Sequence, residues 1–383
     1  MNVILFLGSG ISLSSGLPGV SQIRDALRNA PKEPRIGAFL DLLERLDQEY
    51  LTDSAPHKTR NGYAYTGQIY RASTTYEDLF HLSSQITLNG WGILGDVTAN
   101  AFADLARRKG RHFLRGRTKV ERTVDLDKLA SRACQFIEKT VADLLHGNNT
   151  IRGLDLVLDL ASLNSIDQLY VVTLNHDTLV EQLFAANGVV YADGFSRPDG
   201  DIRWFTDEFG GAGKIAVLKP HGSINWYGSG DYDVVQPVVL TNRHCSTWKD
   251  ALGNALPNIH ATPAFLTGAS KVSLYNRGIF ASMLHEFQAA LRDCELMVMS
   301  GYGWGDTPIN FHLQYWLDRS VRRKLIILHK SPQGLIDRSK ELSEMSRSYL
   351  RSGRIVCIEK WLEHATLQDI EPYLSGVMPA SPV

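Results

Sequence analysis

Three polar side chains in this sequence could together bind a ligand and move a proton. Asn175 and Asp177 follow one short apolar run, and His221 follows the next apolar run along the chain. Histidine is the usual general base near neutral pH, because its ordinary pKa is about 6.5. If both runs are strands of one parallel sheet, their carboxyl ends meet at one edge, where open α/β sheets place their ligands. Taken singly, each residue could equally be a helix cap, a turn residue or a buried histidine.

A glycine-rich turn follows the first apolar run and begins at Gly8. Glycines directly after a strand let the backbone approach a phosphate closely, and the N-terminus of the following helix supplies free N–H donors. Two common nucleotide-binding motifs are excluded. A Walker loop needs a lysine, and none occurs before Lys32. The dinucleotide fingerprint G-x-G-x-x-G needs a glycine at 13, where this chain has Leu13.

Short apolar runs that end at polar or glycine-rich turns predict the strands that would position these residues. Runs that are apolar on both faces are typical of central strands in a parallel sheet. They lie at residues 3–7, 169–174, 215–219, 295–300, 324–329 and 354–358.

Helical patterns alternate with these runs. Residues 178–186 open with a capping box formed by Thr178 and Glu181, and Asp306 with Pro308 is typical of a helix start. Residues 331–383 are expected to form one helix, a strand and a final helix, which complete the sheet. The alternation predicts a doubly wound α/β domain with a parallel sheet.

A segment far longer than one crossover helix separates the first two runs. Its apolar residues recur at helical spacing, so residues 21–149 are predicted to form a mostly helical insertion. Residues 1–20 and 150–383 are predicted to form the core domain. Within the insertion, residues 52–75 show little periodicity and are expected to be a loop. A length of 383 residues fits two to three domains.

Charge and hydropathy exclude several classes of protein. The 40 basic and 41 acidic residues leave a net charge of -1, so no strong direct binding to nucleic acid is expected. No stretch approaches the ~18 apolar residues of a membrane helix, and the apolar start has no basic segment before it, so it predicts a strand and not a signal peptide. Four scattered cysteines without a C-x-x-C pair predict reduced thiols in a cytoplasmic protein, not a zinc site or a disulfide scaffold.

The glycine turn resembles the sirtuin pattern G-A-G-x-S-x-x-S-G-I-P, with serine in place of the alanine and leucine in place of the isoleucine. The matched residues are Gly8, Gly10, Ser12, Ser15, Gly16 and Pro18. Residues 173–177 (TLNHD) are similar to the sirtuin T-Q-N-x-D motif, and residues 219–223 (KPHGS) to the catalytic His-Gly segment. Residues 300–306 (SGYGWGD) take the place of the later glycine-rich cofactor loop. The resemblance implies a Rossmann-like NAD-binding core.

The chain departs from the protein deacylases of that family. It lacks their zinc ribbon with two C-x-x-C pairs, and it has LPGVS at 17–21 where they continue I-P-D-F-R. The helical insertion stands in place of the zinc ribbon, and no metal is expected. Residues 75–80 (TYEDLF) and 221–226 (HGSINW) instead resemble bacterial sirtuin-like NAD hydrolases, which serve in antiphage defence by emptying the cell of NAD. NAD would then be a substrate, cleaved to nicotinamide and ADP-ribose.

The resemblance also implies roles for single residues. Asn175 would hold the ribose hydroxyls or the attacking water, His221 would take a proton from a ribose hydroxyl or from water, and Asp177 would anchor the nicotinamide end or stabilise the cation. Further residues are assigned to NAD binding. Those expected at the pyrophosphate are Gly8, Gly10 and Ser12; those expected at the adenosine half are Gly301, Gly303 and Asp306; the others are Ser15, Gly16, Pro18, Gly222 and Ser223.

The sequence carries little beyond the core that could sense a trigger. Its length and this lack favour a partner, a hexameric HerA-like DNA-translocating ATPase, and a homo-oligomer is expected as well. Two alternatives stay open: an NAD-dependent protein deacylase or ADP-ribosyltransferase, and a non-catalytic NAD or ADP-ribose scaffold for an ATPase. The glycine spacing disfavours a dehydrogenase.

Overall fold

The structure is a computed structural model of the whole chain, and its contacts divide into two compact units. It describes residues 1–53, 74–90, 92, 97–110, 126–146, 150–210, 213–230, 236–240, 248–255, 259–268, 271 and 275–374. Unit 1 comprises Met1–Gly19, Leu145–Leu266 and Val272–Val383, and unit 2 comprises Val20–Leu144 and Thr267–Lys271. Most of the expected 52–75 loop lies outside the described residues.

Unit 1 is built on a six-stranded parallel sheet. Its strands are β1 (Asn2–Leu7), β2 (Gln168–Thr173), β4 (Ile215–Leu218), β7 (Leu296–Ser300), β8 (Lys324–Leu328) and β9 (Ile355–Ile358). The strand order is β4-β2-β1-β7-β8-β9, and every neighbouring pair is parallel. The chain adds β2 and β4 on one side of β1, then returns to place β7 on its other side. The predicted doubly wound sheet is confirmed, and its switch point lies between β1 and β7.

Both faces of the sheet are covered, which explains why its strands are apolar without alternation. Val3, Leu5 and Leu7 of β1 pack on one side, against the helices Asp155–Ser162, Leu179–Ala186 and Leu367–Leu374. Ile4 and Phe6 pack on the other side, against the helices Gly278–Asp293, Thr307–Asp318 and Lys340–Arg351. Successive strand residues point to opposite faces, so two cores require apolar residues at every position.

Two local predictions in unit 1 are wrong. Thr178 makes no side-chain cap hydrogen bond at the helix Leu179–Ala186, because Asp177 Oδ1 accepts the Leu179 N–H instead and Glu181 pairs with Lys219. The single helix expected after residue 331 is two, Pro332–Arg338 and Lys340–Arg351. Ser339 separates them: its backbone is extended, and its hydroxyl accepts the Leu342 N–H at 3.3 Å as an N-cap.

A second, antiparallel sheet in unit 1 was not predicted. It has the order β3-β6-β5, with β3 (Ile202–Trp204), β5 (Trp226–Ser229) and β6 (Gln236–Leu240). Strands of three to five residues between glycine-rich turns carry too little alternation to be distinguished from loops. Its side chains Ile202, Tyr227, Val238 and Leu240 form a small core of their own.

Unit 2 is helical in its described residues. The helices are Val20–Asn29, Pro34–Asp53, Tyr76–Gly90, Val97–Lys109 and Leu126–His146, whose last residues belong to unit 1. The third begins with a reciprocal cap, since Asp78 Oδ2 accepts from the Thr75 N–H at 2.7 Å and Thr75 Oγ1 accepts from the Asp78 N–H at 3.3 Å. Residues 267–271, predicted as part of the core, group with this unit, where Lys271 lies 3.6 Å from Glu77.

No helix in the described part of the chain combines the length and the apolar character that crossing a membrane requires.

Candidate active site

The two glycine turns at the switch point fit directly against each other. Gly8 follows β1 and Gly301 follows β7, and Leu7 and Ser300 are paired in the sheet. The Gly8 N–H donates to Ser300 O and the Gly10 N–H to Gly301 O, both at 2.9 Å. A Cβ on Gly8 would lie 2.5 Å from Gly301 O, and one on Gly10 would lie 2.8 Å from the Gly301 Cα. Glycine is therefore needed here so that two backbones can touch.

This packing gives the first glycines another role than the expected one. The N–H groups of Gly8 and Gly10, assigned to the pyrophosphate, already donate to protein carbonyls. The helix directly after Gly8 is a single 3₁₀ turn, Ser9–Ser12, and the first α-helix begins only at Val20. The expected α-helical N-terminus is therefore absent from this turn, and the contact with pyrophosphate stays a prediction.

Two alanine variants separate packing from ligand contact at these turns. Gly8→Ala should lower the free energy of unfolding by about 3 kcal/mol, because its Cβ meets backbone that cannot move aside. Gly303→Ala should leave it unchanged, because nothing lies within 4 Å of the added Cβ. Urea unfolding followed by circular dichroism measures both. Equal stability of the two variants would contradict the close contact between the turns.

Asn175 and Asp177 are joined to the first turn by a buried chain of hydrogen bonds. Asn175 Nδ2 donates to Gly8 O at 3.2 Å and to Ser12 Oγ at 3.0 Å, and Ser12 Oγ donates to Asp177 Oδ2 at 2.7 Å. Asp177 Oδ1 accepts from the Leu179 N–H. Both oxygens of Asp177 and the hydroxyl of Ser12 thus hold protein groups, so they position Asn175, and their expected contacts with NAD stay predictions.

The Asn175 side chain keeps one unused hydrogen-bonding atom. The residue is only 6% exposed, and its Oδ1 has no hydrogen-bond partner among the described residues. A buried amide oxygen without a donor is costly by about 1–3 kcal/mol, and such groups are few in folded proteins. Oδ1 is therefore suited to accept a hydrogen bond from a ligand hydroxyl or a water.

Lys219 stabilises the segment that carries Asp177. Its Nζ donates to Glu181 Oε1 at 2.8 Å and also contacts the backbone oxygen of Asp177. Burial raises the pKa of the Glu181 carboxyl, and the nearby Lys219 ammonium opposes that rise. The Lys219 side chain is 3% exposed, so the pair is a buried ion pair.

Removing one partner of this pair should cost more than removing both. Lys219→Met leaves the Glu181 carboxylate buried without its cation and should lower the free energy of unfolding by about 3–5 kcal/mol. The double variant Lys219→Met, Glu181→Gln removes the uncompensated charge and should recover part of that loss. Thermal unfolding of both variants tests this, and a double variant no more stable than Lys219→Met would refute it.

His221 lies just after the end of β4, as predicted, and its ring contacts one carboxylate and one phenol. Its Nε2 is 3.0 Å from Asp306 Oδ2 and 2.5 Å from the Tyr275 hydroxyl. Val172 of β2 is paired with Leu218 of β4, so Asn175 and His221 each lie three residues beyond paired positions. The structure therefore places both at the carboxyl edge of neighbouring strands.

The residues after His221 hold the turn in place. The Gly222 N–H donates to Lys219 O at 2.9 Å, the Ser223 N–H donates to Ala264 O at 3.2 Å, and the Ser223 hydroxyl donates to His176 O at 3.3 Å. The His176 ring packs against the Phe265 ring at a tilt, with centroids 4.5 Å apart. These contacts are internal, and the expected contacts of Gly222 and Ser223 with NAD stay predictions.

Three further residues of the first turn were assigned to NAD binding, and the structure shows their surroundings within the protein. Ser15 is buried, and its hydroxyl both donates to Arg152 O and accepts the Arg152 N–H. The exposed Gly16 closes the turn by donating to Leu13 O, and Pro18 is partly buried. Their assignment to NAD binding stays a prediction.

A cavity of about 320 Å³ opens beside the two glycine turns. Its walls include Gly10, Ser14 and Gly301, together with Trp361 and Glu363 from the segment that follows β9. The sequence patterns gave no sign of Trp361 and Glu363, because only the sheet order brings the end of β9 near the end of β1. The cavity offers an aromatic ring and a carboxylate beside the two turns.

Two results at the second glycine loop differ from expectation. Asp306 was assigned to the adenosine half, whereas its carboxylate contacts His221 and Tyr275. Tyr275, 3% exposed, was missed altogether, since it lies in a loop-rich stretch without a motif or periodicity. Gly303 is exposed and has open space around it, so its contact with a ligand stays a prediction.

In the described parts of the chain, no three His, Cys, Asp or Glu side chains gather as a metal ion would need. Cys134, Cys294 and Cys357 are free thiols, and Cys245 lies outside the described residues. Burial raises the pKa of the Cys294 and Cys357 thiols, which keeps them protonated at neutral pH.

The family model of the SIR2-like domain matches residues 170–358. The crystal structure of a Sir2 homologue–NAD complex aligns with 97% of this chain and 89% of its own, at 10% identity and a TM-score of 0.43. A mutant Sir2 homologue in complex with 2′-O-acetyl ADP ribose aligns with 98% and 90%, at 10% identity and a TM-score of 0.38. No curated protein matches the sequence.

The strand order and the parallel pairing of neighbouring strands define the doubly wound sheet. The matched segment begins inside β2 and ends with β9, so it includes Asn175, His221 and Asp306 but leaves out the first glycine turn. Residues 170–358 of this chain are thus similar to the SIR2-like domain.

Proposed function

We propose that this protein hydrolyses NAD to nicotinamide and ADP-ribose, and that it serves in antiphage defence by depleting the cell of NAD. The observation that carries the proposal is the buried Asn175 Oδ1, which has no hydrogen-bond partner among the described residues. It lies beside the Gly8 turn at the carboxyl edge of the sheet, one strand away from His221. The matching SIR2-like domain supports NAD as the ligand.

The reaction breaks the bond between ribose C1′ and the nicotinamide nitrogen. The leaving group is cationic before cleavage, so it takes the bonding electron pair and departs neutral, without a general acid. Positive charge develops on the ribose as in an oxocarbenium ion. A water oxygen then bonds to C1′ and loses one proton, so that NAD and water yield nicotinamide, ADP-ribose and a proton.

Two side chains suffice for these steps. Asn175 Oδ1 accepts a hydrogen bond from the attacking water or a ribose hydroxyl, and its Nδ2 bonds to Gly8 and Ser12 fix its direction. His221 takes the proton, either from the water or from a ribose hydroxyl. A group held in one orientation before the reaction lowers the barrier, because no further ordering is needed.

The cavity beside the glycine turns supports the placement of the other half of NAD. It is lined by Gly10 and Gly301 from the glycine turns and by Trp361 and Glu363. An adenine ring can stack on an aromatic side chain, and a carboxylate can accept hydrogen bonds from ribose hydroxyls. In this proposal the adenosine half of NAD binds in the cavity.

The trigger belongs to the proposal as well. An unregulated NAD hydrolase would be toxic to its own cell, so activity is expected to depend on assembly. We place the control in a homo-oligomer and in a hexameric HerA-like ATPase, as the sequence suggested.

Nicotinamide release measured by chromatography tests the function. The full-length protein is incubated with NAD alone, and with a co-purified ATPase and DNA. Release without any acylated peptide, together with ADP-ribose, is the expected result. Release that requires an acyl peptide and yields O-acyl-ADP-ribose would instead identify a deacylase. Tight binding of NAD or ADP-ribose without release in either sample would leave only the scaffold.

A further inference from the structure

The His221 ring is held by a buried pair of side chains from two other segments. Asp306 Oδ2 lies 3.0 Å from His221 Nε2, the Tyr275 hydroxyl lies 2.5 Å from the same nitrogen, and Tyr275 donates to Asp306 Oδ2 at 3.3 Å. The side chains of His221 and Asp306 are 6% and 7% exposed. Three polar groups therefore close a triangle that water hardly reaches.

Asp306 divides its carboxylate between a helix and the histidine. Oδ1 accepts the Ile309 N–H at 3.1 Å and caps the helix Thr307–Asp318, while Oδ2 faces His221. The cap alone explains an Asp, Asn or Ser at this position, but it does not explain why the second oxygen points to a buried imidazole. The contact with His221 is a separate feature.

The loop before Asp306 is built to hold that carboxylate in place. Asn310 Nδ2 donates to Trp304 O at 2.9 Å, and the Tyr302 hydroxyl donates to Asn310 Oδ1 at 2.6 Å. Trp304 has a φ of 58°, a left-handed conformation that is strained for a bulky residue. Such strain persists where surrounding contacts over-determine it, and here it lies two residues before Asp306.

We propose that Asp306 and Tyr275 are positioning residues that fix the tautomer of His221 and stabilise its protonated form. This rests on the proposed function, in which His221 accepts a proton. A carboxylate at Nε2 favours the imidazole with its proton on Nε2, which leaves the basic lone pair on Nδ1. When Nδ1 takes the proton, the ring becomes a cation, and the adjacent carboxylate stabilises it.

The charged form of His221 depends on every titratable group that faces the ring. Among the described residues, Asp306 and Tyr275 contact the ring, and the centroid of the His176 ring lies 6.2 Å from that of His221. Asp306 is the one carboxyl group among these three, so its removal should dominate any change in the titration of His221.

Nitrogen-edited NMR of the full-length chain with labelled histidine tests this without substrate. The His221 signals are those missing from the spectrum of His221→Ala. In the wild type they should report the Nε2–H tautomer. In Asp306→Asn, which keeps the helix cap, the midpoint of the His221 titration should move about one unit or more to lower pH. Tyr275→Phe keeps the Asp306 carboxylate, so the midpoint of the His221 titration should not fall in that variant.

Kinetics supply the second readout. In Asp306→Asn, kcat for nicotinamide release should fall about 10-fold or more with KM within about threefold, and the acidic limb of the pH profile should move to lower pH. Ser339→Ala removes the cap of the helix Lys340–Arg351, outside the site, and should change neither. A purely structural role of Asp306 would lower activity without moving the limb.

Two results would overturn the proposal: an Nδ1–H tautomer in the wild type, or an unchanged His221 midpoint in Asp306→Asn. Failure of the hydrolase function is distinguishable, because the NMR experiment needs no turnover. If wild-type protein released no nicotinamide while the midpoint moved as expected, the positioning of His221 would stand and the proposed reaction would fall.

Discussion

His221→Ala is expected to lower nicotinamide release by about 10²- to 10⁴-fold, the contribution usual for a general base. Alanine offers no group that can take the proton from water or from a ribose hydroxyl. The loss should appear in kcat, because removing a base from the transition state need not change ground-state binding. Single-turnover release of nicotinamide and titration calorimetry with ADP-ribose measure the two separately.

The stability of His221→Ala needs its own control, because the variant leaves Asp306 buried without the imidazole. Thermal unfolding should therefore be measured beside activity. His285→Ala is the matched variant, since His285 is exposed on the helix Gly278–Asp293 and should retain full turnover. If His221→Ala stayed folded and released nicotinamide at the wild-type rate, His221 would not be the base.

The strands of the central sheet could be predicted because one physical signal determines them. A strand covered on both faces must be apolar throughout, and the six apolar runs correspond to the six strands of the parallel sheet. The strands of the small antiparallel sheet escaped this signal, since β3 has three residues and β5 has four. Helix ends also escaped it: Glu181 matches a capping box in sequence, but a buried Lys219 in space attracts its carboxylate.

In the glycine turns, the sequence predicts the need for glycine correctly but does not identify the group that approaches it. The sequence predicts that Gly8 and Gly10 allow another group to approach their backbone closely, and the structure shows such an approach. What approaches in the structure is the backbone of Gly301, and the two N–H groups donate to carbonyls of that neighbouring segment. Sequence spacing within one turn cannot reveal a partner almost three hundred residues away.

The neighbours of His221 likewise come from distant segments of the chain, so only the folded structure identifies them. His221 could be predicted from a single segment, because the strand before it and the resemblance of its motif coincide. Tyr275 could not, since it belongs to no motif and meets His221 only through tertiary packing. Asp306 could be identified as a helix cap, but a cap uses one oxygen, and the second oxygen at His221 is visible only in the structure.

Asn175→Ala is expected to lower kcat for nicotinamide release by about 10²- to 10³-fold, the usual cost of losing one fixed polar group that acts on the transition state. The change removes Oδ1, which is free to accept from water or ribose, and the Nδ2 that ties the side chain to Gly8 O and Ser12 Oγ. Ser12→Ala keeps Oδ1 but loosens its support, so its loss should be intermediate. The dissociation constant of ADP-ribose should change less than kcat in both variants.

Asn187→Ala is the matched control, because Asn187 is exposed at the end of the helix Leu179–Ala186 and its side-chain Nδ2 donates to Leu183 O there. It removes the same kind of side-chain amide and should leave turnover unchanged. We therefore expect kcat to be highest in the wild type and in Asn187→Ala, lower in Ser12→Ala and lowest in Asn175→Ala. One cause determines this order, namely the direction in which Asn175 Oδ1 is held. A Ser12→Ala protein as inactive as Asn175→Ala would shift the chemistry to the Ser12 hydroxyl, and a fully active Asn175→Ala protein would remove Asn175 from the reaction.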